Sequence, residues 1–257
     1  MSLEISDIKF SSLKEKIFLS GNALKVIAII AMTIDHITWM GIEEYSQAET
    51  PVQVFLHCIG RLTAPIMIFF VAEGYHYTRN YWKYLGHMAM LAVISHFAFC
   101  YFAYQSFNPF HNEFFNATSI IWPLMWGLIF LKVWDEEKIN MQLKLLITII
   151  GCMLTLTSDW SCAASLAILM VGPNRSNFHK QMLWLMAIVT LYAVAFYIFN
   201  NHTYGLVHLA YWFSVPLLSM YNGRRGNVKW LGKFFYFYYP IHLILIGLIT
   251  HSSFPNP

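Results

Sequence analysis

From Ala23 to Gly41 the chain stays apolar for the width of a lipid bilayer, except at Asp35-His36. The apolar run constrains the fold most, because it recurs. Runs of roughly 17–25 apolar residues fall near 22–42, 55–77, 84–104, 118–134, 181–200, 204–221 and 233–251. In hydrocarbon every backbone polar group needs a partner inside the protein, so each run is expected to be a helix. The stretch 144–172 carries two shorter runs, Leu145–Leu156 and Ala163–Val171, parted by Thr157-Ser158-Asp159-Trp160-Ser161. At 58% hydrophobic and 11% charged residues over 257 positions, the chain has too few charges to clothe a water-facing surface.

Charge decides how 144–172 is crossed. If it passes in and returns, as two short spans or a re-entrant hairpin, the basic residues fall on one side. These are Lys9, Lys14, Lys16 and Lys25; Arg79 and Lys83; Lys132, Lys138 and Lys144; Arg175 and Lys180; Arg224, Arg225, Lys229 and Lys233. The intervening segments 43–54, 105–117, 157–161 and 201–203 hold no Lys or Arg. The positive-inside bias then puts the N-terminus in the cytoplasm and the C-terminus outside. The expected fold is an all-α polytopic membrane protein of about nine transmembrane helices, two of them short. Residues 1–21 form a cytoplasmic N-terminal segment, 22–251 one membrane-embedded domain, and 252–257 a short tail. The first twenty residues are too polar for a secretory signal, so the first span is expected to be retained. Ile5–Leu19 reads either as a helix on the membrane surface or as a polar tail.

An acid and an imidazole in hydrocarbon are costly and mark ion paths, proton relays or chemistry. Arg61 is the one basic residue that no polar loop or span end explains. At about 1.5 Å per residue, Asp35, His36 and Arg61 lie at similar depth, in the outer half of the membrane. Asp35 and His36 point about 100° apart on a helix, so Asp35 is expected to pair with Arg61 while His36 faces a substrate path. Imidazole passes protons near neutral pH, which favours a functional centre over a purely structural ion pair. Glu73 lies toward the cytoplasmic end of the second span, Asp159 at the outer turn of the short pair beside an interfacial Trp160, and Tyr239 and His242 in the last span. Pro65 and Pro240 suit interrupted helices. Ser95-His96 reaches a level similar to His242. His57, His111, His202, His208 and His251 read as interfacial and receive no role.

Metal chemistry finds no support, since neither HxxxH nor CxxC occurs. No P-loop, GxGxxG or GxSxG is present. The cysteines Cys58, Cys100, Cys152 and Cys162 read as packing residues. A net charge of +3 reflects topology, and nucleic acid is not an expected partner.

Taken in order, four groups of residues resemble the TraX family. They are Asn22-Ala23-Leu24-Lys25 with Met32-Thr33-Ile34-Asp35-His36; Ile59-Gly60-Arg61-Leu62 with Pro65; Glu73-Gly74-Tyr75 with Thr78-Arg79-Asn80 and Tyr84; and Phe237-Tyr238-Tyr239-Pro240-Ile241-His242-Leu243. The resemblance spans almost the whole chain. Departures occur at Leu85-Gly86-His87, Asp159-Trp160-Ser161 and Ser95-His96-Phe97-Ala98, where the family pattern has Arg-Leu, Asp-Tyr-Gly and Ser-Gln-Ile-Pro. That family is named for a conjugation protein that acetylates a pilin N-terminus, and it resembles the wider membrane-embedded acyltransferases.

The resemblance implies a bacterial inner (cytoplasmic) membrane location and acetyl-CoA as donor. The acceptor would be an amine or hydroxyl, on a pilin N-terminus or an envelope glycan. His36 would be general base or acylated nucleophile, with Asp35 and Arg61 beside it and Glu73, Tyr239, His242 and Asp159 near substrate. Arg79, Lys83, Arg175, Arg224 and Arg225 would hold the donor phosphates. A second copy of the chain is an allowed partner. A proton-coupled transporter and a non-catalytic pilus or envelope assembly factor are the alternatives.

Overall fold

A computed structural model describes residues 18–39, 50–110, 118–228 and 230–253; the side chains of 233 and 251–253 lie outside that description. The expectations for 1–17, for most of the first outer loop, for 111–117 and for the end of the tail therefore fall outside the described residues, as do those for Lys229, His111 and the side chains of Lys233 and His251.

Among the described residues every regular element is helical, and one isolated bridge pairs Leu19 with Tyr221. In chain order the helices are α1 Gly21–Trp39, α2 Pro51–Gly60, α3 Thr63–Tyr77, α4 Tyr81–Tyr104, α5 Ile121–Asp135, α6 Met141–Thr155, α7 Ser161–Val171, α8 Phe178–Phe199, α9 His202–His208, α10 Ser214–Ser219 and α11 Leu231–Ser253. A helix starts where a side chain can take up its orphan backbone N–H groups. Asn80, Asn140, Asn177 and Asn201 do this for α4, α6, α8 and α9, accepting from Lys83, Leu143, Lys180 and Tyr204. Thr50 and Gln53 form a reciprocal box at the start of α2, with Pro51 as its first residue, where the missing proline N–H costs nothing.

Among the described residues four helical stretches are long and apolar enough to cross a membrane: Gly21–Trp39, Pro51–Tyr77, Tyr81–Tyr104 and Phe178–Phe199. The outer surface is as apolar as the core. Ile30, Ile37, Met90, Val93, Ile149, Leu183, Leu191, Leu245 and Leu248 are all exposed, a shell that lipid covers and water would not tolerate. The chain is a polytopic helical membrane protein.

The short α7 sits in the middle and packs against α3, α5, α6 and α8. Its Ala164, Ser165, Ala167 and Ile168 are fully buried, and small residues let membrane helices approach closely. At Gly127 of α5 a Cβ would stand 2.6 Å from Ile168, so only glycine fits there. Ser165 Oγ donates to the carbonyl of Pro123 at 2.7 Å.

Three expectations change. The second span is one helical path broken after Gly60, with Arg61 closing α2 and α3 starting at Thr63. Pro240 lies inside a continuous α11 and does not interrupt it. Residues 204–221 are two short helices, α9 and α10, joined by a tighter turn at Leu209–Phe213.

Helix ends that carry the basic residues meet at one end of the bundle. Leu19 N–H donates to the Met220 carbonyl, Gly21 N–H to Arg224 and Asn22 N–H to Arg225. Tyr77 hydroxyl donates to the Gly223 carbonyl, and His76 contacts the Gly172 carbonyl. This tie between the starts of α1 and α11 and the ends of α3, α7 and α10 defines a basic end. Arg61 lies toward the opposite end.

Candidate active site

Asp35 projects from α1 into α2, where Gly60 makes room: a Cβ on Gly60 would lie 2.3 Å from that of Asp35. Both carboxylate oxygens are engaged. Oδ1 accepts from His57 Nδ1 at 2.7 Å, and Oδ2 accepts from Arg61 Nη2 at 2.5 Å. The side chains of His57, Arg61 and Asp35 are 0, 8 and 12% exposed. A buried charge is tolerated when it is paired and its lone pairs are satisfied; the Asp35 carboxylate is paired through both oxygens, whereas the buried Nε2 of His57 has no hydrogen-bond partner among the described residues. Aromatic residues wall it off. Arg61 stands 5.4 Å from the Tyr204 ring centroid, and Trp39 packs on both His57 and Tyr204. The pairing of Asp35 with Arg61 is the one expected from depth.

His57 is the site residue that sequence reasoning passed over. Its position near a span end reads as interfacial, yet it is wholly buried. Its place one helical turn before Arg61 puts both on the same face of α2, and that spacing is the signal that could have found it. Trp160, also expected at the interface, is buried and stacks on Tyr192 at 5.6 Å.

His36 points elsewhere. Its Nδ1 lies 2.8 Å from Nε2 of His242 on α11. His242 Nδ1 lies 3.0 Å from the Tyr238 carbonyl, and the Tyr238 ring stacks on the imidazole of His242. His242 therefore touches His36 directly, in addition to any contact with substrate.

Two cavities meet at this level. The larger, about 680 Å³, is lined on the basic side by Lys25, Glu73, Tyr77 and Arg225 and runs inward along Met32, Thr63 and Tyr239. The smaller, about 120 Å³, is lined by Asp35, His36, Arg61, Asp159, Tyr204 and His208. Met32, Thr63, Ile120 and Tyr239 line both, so they form the wall the two cavities share. Drug-sized ligands fill cavities of ≈ 300–1,000 Å³, which includes the larger one. The smaller holds the volume of about four waters.

Asp159 reaches the smaller cavity from the α6–α7 turn, where its N–H donates to the Thr118 carbonyl at 2.8 Å. The next two residues, Trp160 and Ser161, have φ of 69° and 50°. Such left-handed backbone in non-glycine residues is costly and gathers at functional sites.

The five basic residues expected to hold donor phosphates differ in placement. Arg225 lines the larger cavity, whereas Arg79, Lys83, Arg175 and Arg224 line neither. Arg175 donates to Glu73 at 3.2 Å and stacks over Tyr77 at 4.5 Å. Burial pulls its guanidinium down and Glu73 pulls it up; the net value is raised, so it stays cationic. Lys25 joins Arg225 at the cavity, its ammonium 5.1 Å from the Phe70 ring, and among the described residues no carboxylate pairs with either. Among the described residues no group of three His, Cys, Asp or Glu side chains forms a metal cage.

The architecture is that of a helical membrane protein in which a buried Asp–His–Arg triad lies near a histidine pair, one of whose members, His36, lines an internal cavity. Residues 20–250 match the family described as TraX protein, and the chain belongs to that family. It is also 27% identical over 237 residues to a probable fimbrial assembly protein FimC, serogroup H1, of Dichelobacter nodosus, covering 88% of this chain and 94% of that protein. No solved structure matches.

Proposed function

We propose that this chain is a membrane-embedded acetyltransferase that moves an acetyl group from acetyl-CoA to an amine or hydroxyl acceptor. The observation that carries the reading is a pair of cavities that share a wall, one lined by Lys25 and Arg225, which no carboxylate pairs among the described residues, and the other by His36, Asp35 and Arg61. Lys25 and Arg225 suit the donor's anionic phosphates. The apolar walls between them and Tyr239 suit the pantetheine arm.

In this reading the acceptor N–H or O–H gives its proton to His36 as it attacks the thioester carbonyl carbon. In the same reading Arg61 or Tyr239 is the donor to the developing oxyanion. The C–S bond breaks, CoA leaves as thiolate, and the proton held by His36 returns to it. Asp35 does not orient His36, whose Nδ1 meets His242 while Asp35 bonds His57 and Arg61. It holds Arg61 at the cavity wall instead.

The topology belongs to the same proposal. About nine crossings with the basic end in the cytoplasm admit the donor from that side and leave the triad near the outer face. One membrane domain over 22–251 and a bacterial inner-membrane location complete it. The fimbrial relative's name supports a pilin or another envelope component as acceptor. It equally favours a second reading, a non-catalytic assembly factor. Labelled acetyl transfer from acetyl-CoA to membrane or pilin fractions, by wild type and His36→Ala, separates the two. Transfer lost with His36→Ala supports the enzyme; transfer that persists in a normally assembled His36→Ala protein contradicts the role given to His36. No transfer by the wild type favours assembly.

A further inference from the structure

We infer that His242 is a positioning residue that fixes the tautomer of His36 and leaves His36 Nε2 as the free base. The proton on an imidazole is placed by the bond its other nitrogen makes, and here every bond in the chain has a forced direction. Thr33 Oγ1 donates to the Ile29 carbonyl at 2.8 Å, spending its hydrogen. The Tyr238 hydroxyl, 2.6 Å from the same Oγ1, must therefore donate to it. That bond anchors the Tyr238 ring on α1, and the ring stacks on His242 with an interplanar angle of 6°. His242 Nδ1 faces the Tyr238 carbonyl at 3.0 Å, and a carbonyl only accepts, so the His242 hydrogen is on Nδ1. A neutral His242 then offers only a lone pair at Nε2.

The nitrogen that meets that lone pair, 2.8 Å away, is His36 Nδ1, which must carry the His36 hydrogen. The remaining nitrogen of His36, Nε2, is left with its lone pair on a ring that lines the smaller cavity. When Nε2 takes a proton, the imidazolium still donates through Nδ1 to His242, and the charge is spread over two rings. The same logic separates the two histidine sites. His57 donates through Nδ1 to a carboxylate whose charge Arg61 already balances. His36 donates to a neutral acceptor and leaves its Nε2 lone pair on a ring that lines the cavity.

The kinetic consequence rests on the acetyl-transfer reading; the proton assignment rests on hydrogen-bond geometry alone. Nitrogen-15 spectra of histidine-labelled protein in lipid bilayers report each ring nitrogen, with His36→Gln assigning the signals. The expected spectrum has His36 protonated at Nδ1 and bare at Nε2, and His242→Phe abolishes that preference. His242→Gln keeps an acceptor at the position of Nε2 and retains it. A wild-type His36 protonated at Nε2, or one unchanged in His242→Phe, overturns the inference. In turnover, His242→Phe should lower kcat on the order of 10- to 100-fold with KM little changed, and His242→Gln should recover most of it. Equal losses in both variants with a raised KM would make His242 a packing or substrate contact. If His242→Phe fails to fold, the His242→Gln spectrum still decides. If no variant transfers acetyl groups, the acetyltransferase reading fails while the tautomer assignment is still tested by the spectra.

Discussion

Asp35 binds two donors on two different helical turns of α2, so the triad behaves as one unit. Removing one partner of a buried ion pair typically costs about 3–5 kcal/mol, because the other charge is stranded. Arg61→Met and Asp35→Leu should each lower the thermal midpoint strongly in detergent, while Asp35→Leu with Arg61→Met should recover much of the loss. A double variant as unstable as the sum of the singles would contradict this coupling. His36 faces a cavity and carries no buried charge, so His36→Ala should leave the melting midpoint nearly unchanged and reduce acetyl transfer by about 10²–10⁴-fold. The Asp35–Arg61 pair was legible in the sequence because two opposite charges at equal depth in hydrocarbon have few other partners. His57 was not, because histidines near span ends are usually wet. Neither was the His36–His242 contact, which joins positions far apart in the chain through a packing that one sequence does not encode visibly.

At the scale of helices, the site depends on how closely α1 and α2 approach. Gly60→Ala would place a methyl group inside the van der Waals shell of Asp35. Overpacking of this kind costs about 1–3 kcal/mol, and here it pushes against the triad. A lowered melting midpoint together with impaired function is the expected outcome; an unchanged midpoint would mean that α1 and α2 separate freely. The sequence showed where most helices lie, because apolar runs are local signals. It misplaced the breaks. Pro65 marked an interruption that falls a few residues earlier, after Gly60, because a proline disturbs the turn before it. Pro240 marked none, because α11 accommodates one lost backbone bond within its length. The 204–221 stretch reads as one apolar run, yet its backbone tightens at Leu209–Phe213, a change that hydropathy does not record.

The whole molecule has one basic end, a large cavity opening on its cations, and a small cavity beside the triad. The clustering of Lys and Arg was legible from their positions alone; the cavities were not, since they arise where side chains fail to fill the space between helices far apart in the chain, α1, α3, α4, α5 and α11 around the larger and α1, α4, α8 and α9 among those around the smaller. In a background without the native cysteines, Asn108→Cys should react with an impermeant maleimide on intact cells, and Lys138→Cys only after permeabilisation. The reverse pattern would invert the topology. The central claim is that the larger cavity takes acetyl-CoA, and the most direct measurement is calorimetric binding of acetyl-CoA to purified protein, with ATP as control. Saturable binding selective for acetyl-CoA, and weakened at least tenfold by Lys25→Gln with Arg225→Gln, is the predicted result. Binding no better than ATP, or indifferent to both substitutions, would contradict it.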